Sequence, residues 1–198
     1  MKEIKVRITF TEEVLGTANS DKDIHEEYIA SKAPDAPSKA EEVAALGVEE
    51  VVLKGMTVFP KDEEGNPFLW DYQVKGFFKS AASAGSYMGG SSKLSNYKKK
   101  IDLLVFVNER KIPLVIPDGM EMGTCQRPLR AQTMQGERVA LANSETCPIG
   151  TTAEFTIRVL DDSLMGYVHQ WLDYGQYNGF GAWRNSSKGR FTWREITK

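Results

Sequence analysis

"TAEFTIRVLDDSLMGYVHQWLDYGQYNGFGAWRNSSKGRFTWREI", residues 152–196, is the stretch whose reading decides the fold. Its opening, TAEFTIRVLD (152–161), alternates apolar and polar residues with period two, the mark of a strand with one buried face. DSLMGYVHQWLDYG (162–175) changes to helical spacing, with Asp162 or Ser163 placed to cap it. A glycine-rich connector follows, and GRFTWREI (189–196) returns to a strand pattern. Strand, helix, strand is one half of a split βαβ plan.

The other half lies upstream. EIKVRITF (3–10) is a period-two, β-branched strand. DYQVKGFFKSAASAG (71–85) brings Val74, Phe77, Phe78 and Ala81 to one helical face, with Asp71 as cap and Gly85 as stop. IDLLVFV (101–107) reads as a buried strand, and KIPLVIP (111–117) as a second one near an edge, because of its prolines. The chain is therefore expected to be α+β, a ferredoxin-like or RRM-like antiparallel sheet with two core helices. It is expected to form one domain, 1–198, with insertions at about 11–70 and 108–150. The first insertion holds two short helices (21–33, 38–47) and a strand (49–60) bulged at Gly55. The second holds CQRPLRAQTMQGERVALANSE (125–145), two extended stretches joined near Gly136.

At 41% hydrophobic and 26% charged, the 198 residues suit a packed soluble core, and no apolar run approaches the roughly 20 residues of a membrane span. Two histidines, and two cysteines outside any CxxC pair, argue against a zinc site; no metal or cofactor is expected. Cys125 and Cys147 read as small semi-buried residues of a reducing cytoplasm, with a disulfide between them left open. Residues 1–66 hold 8 Lys and Arg against 15 Asp and Glu, net −7; the remainder holds 17 against 12, net +5. A local basic surface is thus compatible with the mild total of −2.

The connector GFGAWRNSSKGRF (179–191) is where that surface would have its chemistry. Glycines allow positive φ and close backbone approach, so exposed amides could wrap an anion. Arg184, Lys188 and Arg190 would add charge-assisted contacts, and Phe180 and Trp183 either stack on bases or anchor the loop. The alternative is an ordinary Gly/Ser/Asn turn. No GK[ST] ends it and no helix follows it, so it fits neither the Walker nor the dinucleotide pattern. Arg127, Arg130 and Arg138 form a second basic segment, either clamping a backbone or pairing with local acids. KLSNYKKK (93–100) is a third, by default solvated.

Helix, glycine-rich loop, strand in this order resembles the RAMP superfamily of CRISPR-associated RNA-binding proteins. The matching positions are Gly179, Gly181, Arg184, Gly189 and Phe191. ETCPIGTTAEFTIRVL (145–160) is similar to the Pro-Gly turn and strand before the last helix of that group, and VKGFFKSAASA (74–84) to its first core helix. The resemblance covers roughly 70–198 plus the first strand. Arg190 stands where a further glycine is common, the chain is short, and only 118–145 could serve as a reduced thumb hairpin. The chain also looks similar to uncharacterised phage and prophage proteins of gut Firmicutes.

The resemblance implies a non-catalytic binder of single-stranded nucleic acid, RNA favoured over DNA, in the cytoplasm of a bacterial host. The gripping residues would be Lys75, Lys79, Arg127, Arg130, Gly179, Gly181, Arg184, Lys188, Gly189 and Arg190. An interaction protein mimicking a CRISPR subunit against a host or phage complex is one alternative, suggested by the acidic first 66 residues. A metal-independent RNA endonuclease using His25 is another. His169 is expected to pack locally, acidic pairs such as Glu12/Glu13 to be solvated, and Phe77, Phe78, Phe106, Phe155 and Trp171 to lie in the core. A homo-oligomer is left open.

Overall fold

The computed structural model describes residues 1–19, 55–88, 93–133 and 136–196. The helices expected at 21–33 and 38–47, the first half of the strand at 49–60, His25, and the side chains of Arg130 and Arg138 lie outside the described residues.

Strand β1 (Lys2–Phe10) is paired along both edges, and its alternation buries Ile4, Val6, Ile8 and Phe10 on one face. Short strands β2 (Val14–Leu15) and β3 (Ala18–Asn19) follow, then β4 (Thr57–Val58) and β5 (Phe68–Trp70). Helix α1 (Asp71–Met88) starts where Gln73 Oε1 accepts the Trp70 amide at 2.8 Å and Asp71 meets Arg110 at 2.5 Å. It runs past Gly85, which is buried within the helix rather than ending it.

The stretch expected as one strand, 101–107, divides. Helix α2 (Tyr97–Leu104) precedes a three-residue strand β6 (Val105–Val107). Tyr97, Ile101 and Leu104 recur at helical spacing and pack on the core, while Asp102 and Leu103 face out. Strands β7 (Lys111–Val115), β8 (Gly123–Thr133), β9 (Gly136–Cys147) and β10 (Thr152–Val159) come next. Asp161, rather than Asp162 or Ser163, caps the turn into α3 (Met165–Tyr174), its Oδ1 accepting the Ser163 amide at 3.0 Å. That contact with Ser163 holds the Asp161 carboxyl below its ordinary range. Strand β11 (Phe191–Glu195) closes the chain.

The main sheet runs β11-β1-β10, with β6 and β7 sharing the far edge of β10 and β5 beyond β7. The pairs are antiparallel: Lys2↔Val159 to Thr9↔Thr152 on one side of β1, Val6↔Glu195 to Phe10↔Phe191 on the other. This is the ferredoxin-like order, with α1 and α3 on one face. Phe155, Ile157 and Phe191 from the sheet meet Val74, Phe77 and Phe78 of α1 and Val168, Trp171 and Leu172 of α3. Phe78 and Trp171, 5.5 Å between ring centroids, join the two helices. Phe106 departs from the expected core: it is over one-third exposed, with Lys75 Nζ 4.3 Å above its ring.

A second sheet is drawn from residues 14–19, 57–58 and 123–147. β8 and β9 pair from Gly123↔Thr146 to Thr133↔Gly136, and the end of β9 also pairs with β2 (Val14↔Cys147) and β4 (Thr57↔Ser144). Among the described residues, the outer part of this hairpin pairs only with itself.

Candidate nucleic-acid interface

The glycine-rich loop leaves the end of α3 and folds back on itself. Phe180 donates its amide to the Gly189 carbonyl at 3.0 Å, so the two limbs cross there. A Cβ on Gly179 would land on the Gly189 carbonyl, and one on Gly189 would land on the Phe180 carbonyl. Only glycine fits at the crossing. Phe180 drops into the core against Phe77 (4.9 Å) and Phe191 (5.2 Å). Of the two aromatics read as stackers or anchors, it is the anchor.

The loop then docks on the segment after β1. Ala182 donates to the Leu15 carbonyl at 3.3 Å and Gly189 to the Glu13 carbonyl at 2.8 Å. Ser186 and Ser187 donate within the turn, to Trp183 and Arg184. These amides are therefore committed to protein carbonyls and do not form the open anion cradle that the composition suggested. The basic side chains differ. Lys188 is held by Glu13 at 2.9 Å, with Glu12 at 3.9 Å, and the bond to Glu13 raises its pKa. Glu13, read as part of a solvated acidic pair, is thus the partner of the loop. Arg190 donates from Nε to the Tyr177 carbonyl at 3.2 Å, and Arg184 is exposed.

The second basic segment reaches the same place. β2, on which the loop docks, pairs with β9, and β9 pairs with β8. Arg127 of β8 comes under the loop, its guanidinium 5.4 Å from the Trp183 ring. It is only 7% exposed and donates from Nη1 to the Ser144 hydroxyl at 3.0 Å. Ser144 in turn bonds the Thr57 hydroxyl at 2.7 Å. Arg127, Trp183 and Lys188 therefore share one seam, where loop and hairpin meet, with Arg184 next to Trp183 in the chain; Arg190 lies at the base of the loop, against the turn after α3. Arg130 is placed by its strand position alone, opposite Val139.

Lys75 and Lys79 are not brought to this seam. They lie at the α2 and β6 end of the sheet, with β1 and β10 between them and β11. Lys79 pairs with Asp102 at 2.6 Å. His169 stacks near Trp193 at 5.4 Å. Cys125 and Cys147 are both free, and burial pushes the Cys147 thiol up to about 12. A groove of about 720 Å³ between α1 and α3 is lined by Met88, Trp171, Tyr174 and Tyr177 among others.

No family model matches the chain, and no curated protein matches it in sequence. Solved structures do match. One is a chain of the Type III-B Cmr-beta complex bound to cognate target RNA: TM-score 0.58, 10% identity, over 98% of this chain and 59% of that one. Another is a chain of a Type IV-B CRISPR complex: TM-score 0.49, 10% identity, over 100% of this chain and 91% of that one. At this identity the likeness to the Cmr-beta chain is one of fold. This chain spans 59% of the length of the Cmr-beta chain it matches.

No signal in the sequence marks Glu13, Leu15, Ser144 or Thr57 as parts of the seam. Each enters through a pairing with residues far along the chain. Among the described residues no three His, Cys, Asp or Glu side chains converge as a metal would need, and no helix is long and apolar enough to cross a membrane.

Proposed function

We propose that the protein binds single-stranded nucleic acid, RNA in preference to DNA, without cutting it, along the seam between the glycine-rich loop and the β8–β9 hairpin. The observation that carries this reading is the convergence itself. Two basic segments more than 50 residues apart meet where Arg127 lies beneath Trp183 and Arg184 stands exposed beside it. The matched Cmr-beta chain belongs to a complex bound to target RNA, which favours RNA as the ligand. The glycines hold the loop in shape, and the arginines face the phosphates as bidentate donors.

The test is binding of a labelled oligo-RNA across a range of salt concentrations, with wild type beside Arg184→Ala/Arg190→Ala. Each neutralised phosphate contributes about 0.7 to the slope of log affinity against log salt on a single strand, so the double variant should lower the slope by roughly 1.4. Equal slopes and equal affinities would remove the loop from the interface. A matched DNA strand binding as tightly as RNA would remove the preference.

A further inference from the structure

Within the loop, Phe180 and Phe191 are buried, and Trp183 is the aromatic that remains 38% exposed. Its backbone is left-handed, at φ 58° and ψ 35°. A bulky residue there is an outlier that surrounding structure must hold in place. Backbone bonds on either side tie it, Ala182 to Leu15 and Ser186 to Trp183, and the Arg127 guanidinium lies over one face of the indole. Arg127 itself is anomalous. It is more than nine-tenths buried, its Nε has no hydrogen-bond partner, and among the described residues no carboxylate pairs with it. Among the described residues this buried cation meets the Ser144 hydroxyl and the Trp183 ring but no carboxylate, an arrangement that an anion arriving from outside would improve.

One ligand resolves both anomalies: a flat ring with a negative charge alongside, which is a nucleotide unit of a single strand. We propose that Trp183, seated on Arg127, is the platform on which one base stacks, with the charge of Arg127 serving the phosphate beside that base. This rests on the seam being the nucleic-acid interface, and it adds the recognition chemistry. Every base has a π-face, so the contact accepts any sequence. Ser144 and Thr57 act behind it as positioning residues, fixing the guanidinium through one chain of hydrogen bonds.

The experiment separates base from phosphate. Wild type, Trp183→Ala and Trp183→Phe are titrated with a mixed-sequence oligo-RNA and with an abasic strand carrying the same number of phosphates. Loss of one stack should weaken RNA binding by Trp183→Ala about tenfold, with the salt slope unchanged. Trp183→Phe should stay within about threefold of wild type. The abasic strand should bind wild type and Trp183→Ala equally, and RNA should quench indole emission in wild type but not in Trp183→Phe. Arg127→Gln, checked first for its melting temperature, should lower the salt slope by about 0.7, and Arg127→Lys should not. The Trp183 arm decides the matter whether or not Arg127→Gln folds. Equal RNA affinity for Trp183→Ala and wild type overturns the platform. If the Arg184/Arg190 double variant is weakened in the same assay, the interface reading survives that result. Failure of wild type to bind either strand overturns both.

Discussion

The crossing of the glycine-rich loop and its tip are only a few residues apart, yet they do opposite things. At the crossing, Gly179, Phe180 and Gly189 are buried and stitched to each other and to the segment after β1. At the tip, Trp183 to Ser186 are exposed, and two residues without glycine's freedom, Trp183 and Ser187, adopt positive φ. At the crossing the unusual residues, glycines, serve the packing of backbone on backbone, whereas at the tip the unusual conformations belong to residues that stay exposed or half-exposed. Glycine enrichment is therefore no sign of a phosphate cradle here. It permits a tight backbone crossing whose effect is to present the tip.

The sharpest way to break this contrast is to put a methyl group at the crossing. Gly179→Ala would drive Cβ into the Gly189 carbonyl. A clash with backbone cannot relax through a side-chain rotation, so the expected loss is in the exceptional class, above about 4 kcal/mol. For a chain of this size that lowers the melting temperature by roughly 10 °C, read by circular dichroism. A variant that melts like wild type but no longer binds RNA would invert the comparison.

Phe180→Ala comes next. Removing a core phenyl ring costs about 3–5 kcal/mol, whereas Trp183→Ala, which empties no core site, should change stability by less than about 1 kcal/mol. Comparable melting temperatures for the two variants would show that the tip is an anchor after all.

How much of this was legible in the sequence depended on distance along the chain. β1, β10, α1 and α3 announce themselves because their periodicity is local: each alternation or helical stripe is complete within about a dozen residues. The sheet order then follows from the split βαβ plan. α2 was misread because IDLL runs directly into VFV. A short apolar run does not distinguish strand from helix, and the deciding Tyr97 lies outside the run. For the proposed site, composition shows the basic residues but not the geometry that places them. Arg127 and Arg184 are visible as basic residues, but nothing local reveals that β2 and β9 bring them together, or that Glu13 takes Lys188 out of service. Lys75 and Lys79 read as helpers because a helix face has no address until the sheet order gives it one.

The Lys188–Glu13 contact tests the boundary between the two regions on a smaller scale. Bonding to Glu13 raises the Lys188 pKa above its ordinary 10.5. A raised folded-state pKa means the contribution is fully present below the unfolded value and is lost as pH rises through the folded one. Stability should therefore decline in the alkaline range above about 10.5, and Lys188→Ala should flatten that part of the profile. At neutral pH the variant should lose less than about 1 kcal/mol, because Glu13 is partly exposed and water screens the pair.

The smallest expected effect sharpens the comparison most. Lys79→Ala removes a positive charge from α1, but one neutralised by Asp102 at 2.6 Å and separated from β11 by two strands of the sheet. If ligand affinity followed overall charge, Lys79→Ala and Arg184→Ala would weaken RNA binding alike, since each removes one cation. If it follows the seam, Arg184→Ala lowers the salt slope by about 0.7 while Lys79→Ala leaves it unchanged. A slope change of equal size in both variants would extend the contact surface across the helical face and along α1. The tip of the loop would then be one point on a long track rather than its centre.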